Sequence, residues 1–110
     1  MKLVSAVIVP WRFAAVQTAL RTFGVMGLTV SEVLEQDGCR HGELYRGQRI
    51  TVDLSPHVRL DIVAHDSDAA DLVRIIRRVA GSYAGDGRVW VTAVESIVRV
   101  RTGQRGVDAL

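Results

Sequence analysis

Two stretches near the end of the chain combine glycine with arginine in a pattern suited to binding phosphate. The first is GDGR, residues 85–88, and the second is RVRTGQRG, residues 99–106. Glycine lets backbone N–H groups approach an anion closely, and arginine presents a planar fork of donors that matches phosphate oxygens. Alternation along a short strand would point Arg99 and Arg101 to the same side. The pattern therefore favours a polyphosphate ligand, and solvent-exposed arginines beside a glycine turn remain the alternative.

The residue types that usually build catalytic or metal centres lack the necessary spacing. The three histidines, His41, His57 and His65, are not placed as helical metal ligands. The single cysteine, Cys39, excludes a disulfide within the chain and a zinc site of the paired-cysteine kind. No turn motif joins a serine nucleophile to a histidine base. We predict no catalytic residue and no metal site.

The elements that must position these arginines follow from apolar periodicity. A helix after Pro10 ends at Gly24, and a second helix, with N-cap candidates Asp66, Ser67 and Asp68, ends before Gly81. Alternating or continuous apolar runs predict strands at residues 2–9, 28–34, 57–64 and 88–94, and a short strand at 97–100. A long charged and glycine-containing stretch separates the second and third strands. This order predicts an α+β, ferredoxin-like split βαβ fold with both helices on one face of an antiparallel sheet.

Length and composition limit the class of protein. A chain of 110 residues with 48% hydrophobic and 24% charged residues fits a single domain, residues 1–110. No apolar run reaches the roughly 18 residues of a membrane helix, and the first residues do not resemble a signal peptide. We therefore expect a cytoplasmic protein without membrane insertion. A net charge of +2 with 5% aromatic residues does not favour a nucleic-acid partner.

One face of the predicted sheet has no helix to cover it. Apolar side chains are expected on that face, and an exposed apolar sheet face usually marks an interface. Because closed symmetric assemblies are the common solution, we expect a homo-oligomer. The residues expected to line the face are Val7, Val9, Val63, Trp90 and Val94.

Several of these stretches together resemble the P-II signal-transduction family over essentially the whole chain. The resemblance lies in GLTVSEV after the first helix, ELYRG in the long loop, GDGR before the last long strand and VRVRTGQRGVDAL at the end. It implies a homotrimer and a non-enzymatic regulator of nitrogen assimilation. It also implies three clefts between subunits that bind ATP or ADP, with Mg²⁺ as a companion of ATP. Three loops follow from it: a protruding T-loop at 35–55, a B-loop at 81–87 and a C-terminal loop at 99–110.

The resemblance also assigns binding residues position by position. On the adenine and ribose side it places Thr29, Asp61, Ile62 and Val63, and on the phosphate side Gly85, Asp86, Gly87, Arg88, Arg99 and Arg101. Arg88 stands where the family usually has lysine, which keeps the charge and changes a point donor into a fork. Tyr45 and Arg46 fall in the part of the loop that contacts targets, an ammonium transporter being one known kind of target.

The long loop departs from the family pattern. It is shorter and lacks the glutamine that, in the family, helps to coordinate Mg²⁺ and oxoglutarate. His57 replaces a lysine, so that a fixed charge becomes a titrating group. We therefore expect weak or no oxoglutarate binding. Ile50 stands where many relatives carry a tyrosine that is nucleotidylated, which removes that modification site.

Two other functions stay open at this stage. The altered loop also fits a sensor of the same fold that serves a carbon, bicarbonate or metal-efflux system. A small phosphate-ester hydrolase of ferredoxin-like fold would also hold phosphate with arginine and glycine. Such a hydrolase positions its water with asparagine, and this chain contains no asparagine.

Overall fold

A computed structural model of the chain describes residues 1–36, 44–45, 48–49, 54–81 and 87–110, of which 44–45 and 48–49 are described by their backbone. Its helices are α1 (Phe13–Phe23), preceded by a 3₁₀ turn at Pro10–Arg12, and α2 (Asp66–Ala80). A second 3₁₀ turn spans Gly106–Ala109. The strands are β1 (Lys2–Ile8), β2 (Thr29–Gln36), β3 (Leu44–Tyr45), β4 (Gln48–Arg49), β5 (Leu54–Ala64) and β6 (Arg88–Ala93).

Four of these strands form one antiparallel sheet in the order β2-β5-β1-β6. The central strands, β1 and β5, carry the core residues that face the helices. Val16 and Leu20 of α1 and Leu72 and Ile76 of α2 pack on that same side. Both helices therefore lie on one face, and the predicted α+β, ferredoxin-like arrangement is confirmed.

The first helix ends at the residue that the sequence indicated, but it begins at Phe13, three residues after Pro10. Pro10 opens the 3₁₀ turn that leads into α1. Proline has no backbone N–H, and at this position no helical hydrogen bond is lost by its absence. Gly24 ends α1 with φ of 120°, and its N–H donates to the carbonyl oxygens of Leu20 and Arg21. A positive φ of this kind favours glycine, so the cap predicted at this position is confirmed.

The start of the second helix differs from the prediction. The N-cap residue is His65, so the three predicted capping residues lie inside the first turn, and no side chain caps the helix. Instead, the Asp66 carboxylate accepts a 2.7 Å hydrogen bond from the Met1 amino group. This contact lowers the pKa of Asp66. Met1 and Asp66 are close together because β1 pairs with β5. This pairing sets Lys2 opposite Ala64, at the edge of the sheet where α2 begins.

The extended segments also differ from the sequence pattern at two places. β2 and β5 pair as far as Gln36 and Leu54, so both ends of the predicted loop 35–55 belong to strands. The predicted strand 97–100 is reduced to a single bridge between Val98 and Arg105. Gly103, with φ of 74°, allows a tight turn that folds residue 105 back onto residue 98.

The sheet face opposite the helices is only partly apolar. Val7, Val63 and Trp90 lie in strands on this open face, as predicted, whereas Val9 and Val94 follow the ends of β1 and β6. Charged and polar side chains share the face because alternate residues of β5 point there. They include Arg59 and Asp61 of β5, Ser5 of β1 and Arg88 of β6. The open face therefore mixes apolar side chains with charged and polar ones.

Candidate functional site

A cleft of about 650 Å³ opens on this face where β1 ends. β1 pairs with β5 only as far as Ile8, opposite Val58, while the β2–β5 ribbon continues to Gln36 and Leu54. The projecting ribbon forms one wall of the cleft, and the start of β6 forms the other. The lining residues are Val7, Val33, Leu34, Glu35, Arg59, Arg88, Val89 and Trp90.

A connected polar cluster reaches the cleft through Arg59 and Trp90, which line it. The Ser5 hydroxyl donates a 2.6 Å hydrogen bond to Asp61 Oδ1, which lies opposite it in register. Arg59 donates to both carboxylate oxygens of Asp61, through Nε to Oδ2 at 3.0 Å and through Nη2 to Oδ1 at 3.2 Å. Its guanidinium carbon lies 5.3 Å from the centre of the Trp90 ring, which is a cation–π distance. Four side chains from three strands thus fix one another.

The electrostatic environment keeps Asp61 ionised. Its burial raises the pKa, but the hydrogen bonds from Arg59 and Ser5 and the charge of Arg59 together outweigh burial and lower the pKa of Asp61. The carboxylate is therefore charged at neutral pH, and it fixes Arg59 in the lining of the cleft.

The mouth of the cleft carries a second ion pair. Arg88 Nη2 lies 3.3 Å from Glu35 Oε1, and the pair joins β6 to β2, the two edge strands of the sheet. The Arg88 side chain is 76% exposed. At the preceding residue, a Cβ added to Gly87 would lie 3.0 Å from the Val7 carbonyl oxygen, so the backbone enters β6 close to β1. This places Arg88 where an anion from solvent can reach it.

The C-terminal segment carries its arginines differently from the prediction. Arg99 and Arg101 do not alternate along a strand, because the residues between Val98 and Arg105 form a tight turn. Arg99 Nη2 donates a 3.2 Å hydrogen bond to the Leu110 carbonyl oxygen. Arg101 is exposed at the turn and has no hydrogen bond or ion pair within the described part of the chain.

Comparison with known proteins decides the family. The model of the family described as Nitrogen regulatory protein P-II matches residues 1–104. This chain belongs to the P-II family. It is 39% identical to the Nitrogen regulatory protein P-II of Rhizobium meliloti (strain 1021) and 40% identical to that of Azospirillum brasilense. It is 36% identical to the Nitrogen regulatory protein GlnK of Escherichia coli (strain K12), and each alignment covers 100% of both chains. All three relatives carry the name of a nitrogen regulatory protein.

The P-II resemblance assigned four residues to the nucleoside side. In the sheet, these residues differ in the face on which they lie and in their exposure. Thr29 and Asp61 are direct neighbours across β2 and β5, with Asp61 on the open face. Val63 is 36% exposed on the same face. The Ile62 side chain, by contrast, is 3% exposed and packs in the core beneath the helices. Alternation along β5 turns the Ile62 side chain inward, and the assignment of this residue to the nucleoside side stays a prediction.

On the P-II phosphate side, the described residues do not form one group within a single chain. Gly87 and Arg88 stand at the mouth of the cleft, whereas Gly85 and Asp86 lie outside the described residues. No described contact joins Arg99 or Arg101 to Arg88. A joint phosphate site formed by the two arginine-containing stretches therefore stays a prediction.

The loop residues assigned to target binding are only partly within the described chain. Tyr45 belongs to β3, where its backbone pairs with Gln48 of β4, and Arg46 lies outside the described residues. His57, at the base of this loop, faces the open side opposite Val33. Its Nδ1 lies 3.1 Å from the Ser55 carbonyl oxygen.

Four residues of the site had not been assigned to binding from the sequence. Arg59 and Asp61 show the spacing of neighbours on one strand face, but the sequence does not reveal which residues of other strands they meet. Register alone brings Ser5 and Trp90 beside them. Glu35 gave no signal, since it lay in the stretch interpreted as loop. The four residues are Ser5, Glu35, Arg59 and Trp90.

The described residues contain neither a cluster of metal-binding side chains nor a membrane-spanning helix. Within residues 1–36, 54–81 and 87–110, no three His, Cys, Asp or Glu side chains lie close enough together to hold a metal ion. In the described part of the chain, neither α1 nor α2 has the length and apolar character needed to cross a membrane.

Proposed function

We propose that this P-II protein is a nitrogen-signalling regulator that binds ATP or ADP at clefts between the subunits of a homotrimer. The observation that carries the proposal is the guanidinium of Arg88 at the mouth of the open-face cleft, directly after Gly87. A guanidinium fork matches phosphate oxygens, and the volume of about 650 Å³ suits a nucleotide-sized ligand. Val7, Val33 and Trp90 supply an apolar wall for the base.

The assembly is part of this proposal because the cleft is incomplete in one subunit. The sheet is covered by helices on one face only, and the open face presents the apolar side chains of Val63 and Trp90. The C-terminal turn presents Val100, which is 99% exposed, next to Arg101. A second subunit packed against the open face would bring Arg99 and Arg101 to the phosphate side of this cleft. Three such contacts close a ring.

Calorimetry with ATP and with ADP tests the nucleotide site. Arg88→Ala and Arg101→Ala should each weaken both nucleotides by about 10- to 150-fold, as expected for loss of a charge-assisted hydrogen bond. The matched control is Arg74→Ala, because Arg74 is an exposed arginine on α2 that pairs with Asp71 in the helical layer. The control should leave both affinities unchanged. If Arg88→Ala and Arg101→Ala bind both nucleotides as the unaltered protein does, the site is elsewhere.

Light scattering at micromolar concentration tests the assembly separately. A trimer should be the main species, and a stable monomer would contradict the proposed cleft between subunits. Loss of nucleotide binding in Arg101→Ala with an unchanged trimer would show that the arginine acts on the ligand and not on assembly.

We also propose that the loop 35–55 contacts a target protein in the cytoplasm, with an ammonium transporter as the first candidate. Co-purification of such a transporter with and without ADP tests this partner, and Tyr45→Ala and Arg46→Ala should reduce it. The altered loop sequence favours a second candidate, a nucleotide sensor for a carbon, bicarbonate or metal-efflux system. Calorimetry with bicarbonate in the presence of each nucleotide distinguishes the two.

A further inference from the structure

The two arginines of the cleft are both paired with carboxylates, and the two pairs differ in accessibility. Arg59 holds Asp61 through two contacts of 3.0 and 3.2 Å, and Ser5 and Trp90 brace the pair. Arg88 holds Glu35 at the mouth through one contact of 3.3 Å. The Arg88 side chain is 76% exposed, against 39% for Arg59. An incoming anion can therefore reach Arg88 more readily.

Glu35 occupies one donor group of Arg88, Nη2, that an anionic ligand could also use. The residue belongs to β2, where it lies opposite Ser55, while Arg88 begins β6 opposite Val7. Their contact crosses the end of β1 and spans the opening of the cleft. A phosphate that binds Arg88 must displace this carboxylate or share the guanidinium with it. In either case the ligand meets a negative charge inside the cleft.

We propose that Glu35 is a specificity-determining residue that competes with phosphate for Arg88 and disfavours polyphosphates that lack a bound cation. This inference rests on the proposed function, since it concerns the ligand of the same cleft. Repulsion between the carboxylate and a polyphosphate grows with the charge of the ligand. Mg²⁺ on the polyphosphate reduces that charge. Glu35 therefore imposes a larger penalty on metal-free ATP than on Mg-ATP.

The test removes the charge of Glu35 and keeps its shape. Glu35→Gln should tighten metal-free ATP by about three- to fivefold, the range expected when one exposed ion pair no longer competes. The gain for Mg-ATP should be smaller. Inorganic tripolyphosphate, with no base, should follow the same order, because the effect concerns the phosphates. The matched control is Glu32→Gln, an exposed carboxylate on β2 that lies on the opposite face of the sheet, next to Val58.

A double variant shows whether Glu35 acts through Arg88. In the Arg88→Ala background, Glu35→Gln should lose most of its effect, because the guanidinium for which it competes is gone. Thermal unfolding of each variant verifies that the fold is kept. If Arg88→Ala weakens ATP but Glu35→Gln leaves metal-free ATP unchanged or weaker, the inference is overturned and the proposed site stands. If Arg88→Ala also leaves ATP binding unchanged, the proposed site and this inference fail together.

Discussion

Replacement of Asp61 by alanine tests whether the polar cluster on the open face stabilises the fold. The Ser5 hydroxyl is fully buried and donates to Asp61, so truncation leaves a buried donor without its partner. That loss costs about 1–3 kcal/mol. The pair with Arg59, in which the two side chains are 39% and 22% exposed, adds about 0–1 kcal/mol after solvent screening. We expect a total destabilisation of about 1–4 kcal/mol at neutral pH.

The pH dependence of this effect has a definite sign. The pKa of Asp61 is lowered in the folded protein, so its charged form is favoured by folding. The contribution of the charge is therefore complete above the unfolded pKa of about 3.9 and is lost as pH falls through the folded value below it. Asp61→Asn, which keeps an acceptor for Ser5 but has no charge, isolates this part. The difference between the unaltered protein and Asp61→Asn should be constant from about pH 6 to 8 and shrink below about pH 4.

Urea unfolding without nucleotide measures these differences. It is done at one fixed protein concentration, since concentration would alter the apparent stability of the proposed trimer. Asp71→Asn is the matched control because its carboxylate pairs with Arg74 at an exposed position of α2. It should change the free energy of unfolding by less than about 0.5 kcal/mol. If Asp61→Ala costs no more than this control, the cluster does not stabilise the fold in the way that its geometry indicates.

Three further outcomes are expected. Gly24→Ala should destabilise the protein by about 1 kcal/mol in urea unfolding, because a φ of 120° is strained for alanine. Gly27 has no positive φ, and an added Cβ would meet no atom within 4 Å, so Gly27→Ala should destabilise the protein less. Leu60→Ala, at a fully buried core position, should lower the free energy of unfolding by about 2–5 kcal/mol. Leu34 is 61% exposed, so Leu34→Ala should lower it by well under half of that. Equal losses would contradict the assigned core. Calorimetry with oxoglutarate added to the Mg-ATP complex should show weak or no binding, and tight binding would refute our interpretation of the altered loop.

The local sequence was sufficient for much of the fold. Apolar alternation located β1, β5 and β6 to within a few residues, since one buried face imposes a period of two on a strand. Helical spacing and the glycine at position 24 located α1 and its end. The order of these elements then allowed few topologies, and the ferredoxin-like sheet is among them. Local pattern failed at residues 97–100, where a glycine turn several residues later decides the pairing.

The sequence also located Arg88 and Gly87, because glycine followed by arginine has a local chemical meaning. It could not show that Arg88 meets Glu35, or that Arg59 lies between Asp61 and Trp90. These contacts join residues from strands that are far apart in the chain, and they depend on the register of four strands and on where β1 ends. Proximity in the chain is also a poor guide to shared surroundings. Ile62 follows Asp61 directly, yet its side chain lies in the core and not on the open face. Residue types determined which groups could bind an anion. Only the tertiary structure decided that Arg59 and Arg88 are both paired with carboxylates and that Arg88 is the more exposed of the two.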